Sequence, residues 1–309
     1  MKKVAWITDE YYLQHDTGVG HPESAERLVS INLKIQQLID KLIEVKPLPA
    51  RVADLRRVHS MEQIFDIQER ASRGEAVDGD TILSSESFHI ALSAAGSGIT
   101  AIDGIKEKKF ERAFCAVRPP GHHATPTQSM GFCLFNNIAI AAKYAQEQGY
   151  KKVMIIDFDV HHGNGTQDTF YADDTVFYFS THQAFAYPGT GDERHKGRDK
   201  GEGYTANHPL MPDSGDGEIL EVYEEDLPKA YAFFKPDIIL VSAGYDLHES
   251  DPLAQLNVTT DGIRKIVRSI LDLGDEPLVF MLEGGYSVTD LGWNVVATVE
   301  EMLKDKNVI

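Results

Sequence analysis

The chain has 309 residues, 42% of them hydrophobic and 25% charged, which is enough for a sizeable core and ordinary globular packing. Its 30 basic and 48 acidic side chains leave a formal charge of −18, which argues against a protein that grips phosphate backbones by bulk electrostatics. Two cysteines, Cys115 and Cys133, cannot build a disulfide framework for a chain this long, so a reducing compartment is expected.

From the N-terminus, residues 4–7 read as a strand, and no signal-peptide core or cleavage site follows Lys2-Lys3, so a cytoplasmic location is expected. Residues 24–42 read as a helix, with Leu28, Ile31, Ile35, Leu38 and Leu42 recurring every three or four positions. A strand is expected over 113–117 and an alanine-rich helix over 136–148, stopped by Gly149. Runs at 153–156, 176–179, 238–241 and 278–282 are almost continuously apolar, the pattern of parallel strands buried on both faces. Helical patterns near 216–234 and 260–273 separate most of them, and this alternation predicts an α/β fold with a doubly wound, mostly parallel sheet. The polar, glycine-rich stretch 188–217 has little periodicity and is too long for an ordinary connection, which marks it as a functional loop. No repeat or linker is visible, so residues 1–309 are read as one domain. By the sequence reading, no segment approaches the roughly 20 apolar residues of a membrane span. Neither a membrane nor nucleic acid is expected as a partner.

In open α/β sheets, ligands sit beyond the carboxyl ends of the strands. The expected strands end in Arg118-Pro119-Pro120-Gly121-His122-His123, Asp157-Phe158-Asp159-Val160-His161-His162-Gly163-Asn164, Ser242-Ala243-Gly244-Tyr245-Asp246 and Glu283-Gly284-Gly285-Tyr286. Asp157, Asp159 and His161 alternate, so they share one face if the strand continues. Two carboxylates and an imidazole suit a borderline-soft divalent ion; a structural ion-pair cluster is the competing reading. Adding Asp246 gives a set of two Asp and one His, which leaves a coordination position open for chemistry. The tandem His122-His123 suits proton transfer near neutral pH, and Asp157 and Asn164 are the available orienting partners. Gly284-Gly285 lets the backbone bend and present the Tyr286 phenol as a donor to a developing oxyanion. Cys133 reads as a packing thiol, while His182, His195, His208 and His248 default to surface or capping roles.

Taken together with His21-Pro22-Glu23-Ser24-Ala25-Glu26-Arg27-Leu28, Gly131-Phe132-Cys133-Leu134-Phe135-Asn136-Asn137, Pro188-Gly189-Thr190-Gly191 and Asp251-Pro252, these blocks resemble the histone deacetylase family over nearly the whole chain. The resemblance implies an arginase/deacetylase fold around a sheet of about eight strands flanked by helices. It puts one zinc ion on Asp159, His161 and Asp246, and the general base at His123. It also pairs His122 with Asp157 and makes Tyr286 the oxyanion donor. It places Gly131, Phe132 and Tyr187 on the walls of a narrow substrate tunnel and Arg27 in an internal cavity behind the metal. A structural potassium ion is implied near Asp157. Asn164 and the wording of residues 282–286 look like the class II branch. Leu253 stands where relatives specialised for acetylated polyamines carry a glutamate, which leans towards acyl-lysine among acylated amine substrates. The residue that anchors the substrate backbone would be Asp80 or Thr81. Two other readings compete: a two-manganese ureohydrolase, which needs more bridging carboxylates, and a non-enzymatic scaffold, which should have lost a ligand, a histidine or the tyrosine.

Overall fold

A computed structural model describes residues 2–306 of the chain. In order, the first half contains β1 (Val4–Ile7), α1 (Ala25–Ile35), β2 (Ile43–Val45), α2 (Val52–Leu55), α3 (Met61–Arg73), α4 (Ser87–Lys106), β3 (Arg112–Cys115) and α5 (Asn137–Glu147). There follow β4 (Val153–Asp157), α6 (Asn164–Phe170), β5 (Val176–Gln183), β6 (Thr205–Leu210), α7 (Asp216–Glu221) and α8 (Leu227–Phe234). The chain then adds β7 (Ile238–Ala243), α9 (Thr260–Asp272), β8 (Leu278–Leu282) and α10 (Val288–Leu303). All eight strands join one parallel sheet in the order β2-β1-β3-β8-β7-β4-β5-β6. The predicted α/β sheet of about eight strands, with helices around it, is the fold observed.

The apolar runs became the strands because both of their faces are covered. Every residue of β1, β3, β4, β5, β7 and β8 is buried. The two strands absent from the sequence reading are the sheet edges. β2 is three residues long and mostly exposed, while β6 carries Pro209, a half-buried His208 and the polar Thr205 and Asn207. An edge strand has one neighbour and tolerates proline, so neither shows an apolar run. β6 also shows that the 188–217 stretch is not loop throughout.

Helices follow their caps. Asn136 accepts the Ala139 N–H at the start of α5, and Thr259 accepts the Gly262 N–H at the start of α9. The helix expected over 24–42 is shorter: α1 stops at Ile35 and a 3₁₀ turn over Gln36–Lys41 leads into β2. The pattern over 216–234 is α7, a π-helical turn at Val222–Asp226, and α8, whose first turn holds Pro228. Proline lacks the N–H that would continue an α ladder. α4 corrects the expectation about membrane spans, being 20 residues long and apolar enough to cross a bilayer by length and composition. Most of it is buried inside the protein, and core packing accounts for its composition. A Cβ at Gly98 would come within 2.7 Å of the Ala141 Cβ in α5, so the α4 backbone packs directly on that side chain.

Candidate active site

Four neighbouring strands, β3, β8, β7 and β4, deliver their carboxyl-terminal loops to one place. β4 ends at Asp157, so Asp159 and His161 do not share a face by strand alternation. They meet because the irregular segment after Asp157 folds back on itself. The Asp159 carboxylate accepts the His161 N–H at 2.9 Å, and the Asp157 carboxylate accepts the Asp159 N–H at 3.2 Å. From the loop after β7, Asp246 accepts the Val160 N–H at 2.9 Å. His161 Nδ1 then lies 3.2 Å from Asp159 and 3.1 Å from Asp246.

One ligand atom each from Asp159, His161 and Asp246 fall within 4.8 Å of one another. Among the described residues no other group of three such side chains gathers this way. Both carboxylates are fully buried. Burial and the Asp159 charge push Asp246 above the carboxylate range. Burial pushes Asp159 the same way, but the imidazoles of His122 and His161 hold it below that range. Two buried acids and one imidazole leave an excess of negative charge that a divalent cation would neutralise. The backbone is shaped to this cradle. A Cβ at Gly244 would sit 2.0 Å from Asp159 Oδ2, and one at Gly284 2.0 Å from Asp246 Oδ2. The Gly284 N–H donates to Asp159 at 2.7 Å. The donor set and its fixed orientation fit one zinc-like ion.

The tandem histidines divide their partners. His122 Nδ1 lies 3.1 Å from Asp157 Oδ2, which also accepts the Tyr178 hydroxyl at 3.1 Å. His123 Nδ1 lies 2.8 Å from the Asn164 carbonyl oxygen, so the hydrogen sits on Nδ1 and Nε2 is free. Burial opposes charge on His122, but Asp159 and Asp157 raise its pKa well above the usual value. Burial, then the neighbours His122 and His161, lower that of His123. Behind the turn lies Glu283, fully buried at the end of β8 and absent from the sequence-derived site. Its carboxylate accepts the Gly121 N–H at 2.6 Å, the His122 N–H at 3.2 Å and the Ser242 hydroxyl at 3.1 Å. A charged residue closing an otherwise apolar strand was the available signal.

Above the cradle opens a cleft of about 350 Å³. His123, His161 and Tyr286 line it, with Gly131, Phe132 and Tyr187 on its sides and Leu253, His21 and Asp80 also among its walls. The Tyr187 ring meets His123 edge-on at 5.1 Å, and Phe132 meets Tyr286 at 5.8 Å. Phe132 has φ +67°, a left-handed backbone held by its N–H bond to the buried Thr81 hydroxyl at 3.2 Å. Of the two anchor candidates, therefore, Asp80 faces the cleft and Thr81 supports its wall. Arg27 is fully buried. It is not among the residues lining the cleft; its guanidinium donates to Gly285 O, Glu283 O and Glu23 and stands 5.0 Å from the Tyr286 ring. It braces the Tyr286 turn from behind. His182 and His248 are also corrected from surface to buried. His182 bonds Gly191 O at 2.8 Å and His162 bonds Thr190 at 2.7 Å, pinning the start of the 188–217 stretch. Cys133 and Cys115 are buried free thiols.

A family model described as the histone deacetylase domain matches residues 21–302. A probable deacetylase of Archaeoglobus fulgidus is 39% identical over 91% of this chain and 81% of its own length. A histone deacetylase-like amidohydrolase of Pseudomonas aeruginosa is 34% identical over 94% of this chain and 79% of its own. Among solved structures, the HDA15 HD domain superposes with a TM-score of 0.94 at 33% identity, covering 97% of this chain and 91% of that one.

Proposed function

The chain belongs to the histone deacetylase family, and on that premise we propose that it is a zinc-dependent amidohydrolase removing acetyl or another short acyl group from an amine, with acyl-lysine side chains as the first substrate class. The observation carrying this reading is the convergence of Asp159, His161 and Asp246 with His123 and Tyr286 at one cleft. Asp159, His161 and Asp246 would hold the ion. When bound, it would polarise the scissile carbonyl and acidify the attacking water.

The remaining work falls to side chains. His123, kept neutral and oriented by Asn164, takes the water's proton on Nε2 and later returns it to the leaving amine. Burial keeps the Tyr286 phenol protonated, as a donor to the tetrahedral oxyanion must be. His122, paired with Asp157, contributes positive charge beside the reacting centre. Gly131, Phe132 and Tyr187 guide a linear arm, and Leu253 offers the entrance no charge for a second amine. A structural potassium ion near Asp157 belongs to the same reading.

The test is a hydrolysis panel on the zinc-loaded chain: acetyl-lysine peptides, longer acyl-lysines, and acetylated putrescine and spermidine. Turnover of the peptides is expected to lead. A lead for the polyamines would replace the substrate class, and no turnover of any amide would end the reading. Tyr286→Phe should lose about 10²–10³ in rate while substrate binding survives. Full activity in that variant would remove the oxyanion role.

A further inference from the structure

We propose that Asp251 is the positioning residue for Tyr286, holding the backbone of the tyrosine turn and, through it, the phenol. Asp251 is buried, and its Oδ2 accepts the Tyr286 N–H at 2.6 Å and the Ser287 N–H at 3.2 Å. Its Oδ1 accepts the Leu253 N–H at 2.9 Å. One carboxylate thus joins the segment bearing the oxyanion donor to the segment bearing Leu253 of the cleft wall. Ser250 and Ser287 repeat the link nearer the surface, both donating to Asp290 Oδ2, at 2.7 and 2.9 Å.

The tyrosine needs such a clamp. Its hydroxyl makes no hydrogen bond among the described residues; its ring has Phe132 and the Arg27 guanidinium beside it. The phenol therefore goes where its backbone goes. Gly284 and Gly285 precede it, Gly285 at φ +120°, so the segment has little stiffness of its own. Ser287, the residue before α10, makes no side-chain capping bond, and its own N–H, which has no partner within the helix, goes to Asp251. Bonds from N–H to a charged acceptor are the stronger kind.

Hydrogen exchange resolved to single amides, on the metal-free chain, reads the clamp without reference to catalysis. In the wild-type protein the Tyr286 and Ser287 amides should exchange slowly although both lie outside regular strand and helix. Free exchange at both would overturn the proposal. In Asp251→Asn, which keeps the size and removes the charge, both should exchange on the order of 10- to 100-fold faster, with the interior of α10 unchanged; unchanged exchange would also overturn it. Asp251→Ser serves if the Asn variant does not fold.

The kinetic half rests on the deacetylase reading. Asp251→Asn should lower kcat by about tenfold or more with KM within about twofold. In a Tyr286→Phe background it should lower kcat no further, because the hydroxyl being positioned is gone. Equal losses in both backgrounds would mean that Asp251 only supports the fold, and would sink the inference. A wild-type chain that hydrolyses no amide would count against the deacetylase reading instead, and the exchange result would still decide on Asp251.

Discussion

His122 and His123 are adjacent in the chain with rings 4.0 Å apart, yet their surroundings drive them in opposite directions. Two carboxylates favour the cation on the first; burial, the cation beside it and His161 favour the neutral form of the second. Pairs of titratable groups pushed apart in this way identify which is the base. The pattern hangs on Asn164 having no charge. Asn164→Asp should therefore move the acid limb of the pH–rate profile to higher pH, since a carboxylate against Nδ1 stabilises the imidazolium. Asn164→Leu, which frees the ring, should lose about 10²-fold in kcat with little change in KM. An unmoved acid limb in the first variant would show that His123 is not the titrating base. The two histidines were legible in the sequence as a proton-transfer pair. From the residues alone their partners were legible only as a choice between Asp157 and Asn164, because each lies far along the chain and folding assigns it; the pairing of His122 with Asp157 came from the family resemblance.

At the scale of elements, four strands side by side explain why residues from 122 to 286 can share a cleft. In the ladder Asp157 pairs with Ser242 and Ser242 with Met281, so β4, β7 and β8 end level with one another. Loops starting from level strand ends reach the same height, and backbone glycines let them approach. Gly284 faces both Asp246 and Asp159. Gly284→Ala should displace a carboxylate, and zinc content after dialysis should fall well below one equivalent per chain while the far-ultraviolet circular dichroism is kept. Retention of a full equivalent would mean the cradle is softer than its packing indicates. The central strands were legible because burial on both faces demands apolar residues. β2 and β6 were not, since an edge carries no such demand, and α4 read as no element because its glycines and small residues record close packing rather than an amphipathic stripe.

At the scale of the whole molecule, charge is buried away from the cleft as well as in it. Glu23 accepts two bonds from Arg118, at 2.6 and 2.9 Å, and one from Arg27 at 3.1 Å, all three side chains being fully buried. Burial opposes ionisation of Glu23, but the two guanidinium groups bring its pKa down to about 2. Its stabilising contribution is therefore complete above the unfolded carboxyl value and is lost as pH falls towards 2. His59 and His182 act at higher pH. Burial lowers each to about 4, so both stay neutral in the fold while the unfolded chain takes up protons below about 6.5. Stability should fall as pH drops from about 6.5 to 4, by up to about 3 kcal/mol for each histidine at the lower end. Urea midpoints measured across that window should decline steeply, and His59→Gln should flatten the decline. A midpoint constant from pH 7 to 4 would refute this account. What the sequence alone determined was local in origin: apolar runs that had to become buried strands, and polar blocks at their ends whose residue types already spelled a metal, a base and an oxyanion donor. What only the tertiary structure decided was the pairing across distance that neither the blocks nor the resemblance carried, among them Glu283 beneath the histidine turn, Arg27 bonded to the Gly285 and Glu283 carbonyls behind Tyr286, and Asp251 on the tyrosine backbone. A buried charge must find its complement somewhere, but nothing in its neighbouring residues says where, because that partner is brought to it by the sheet.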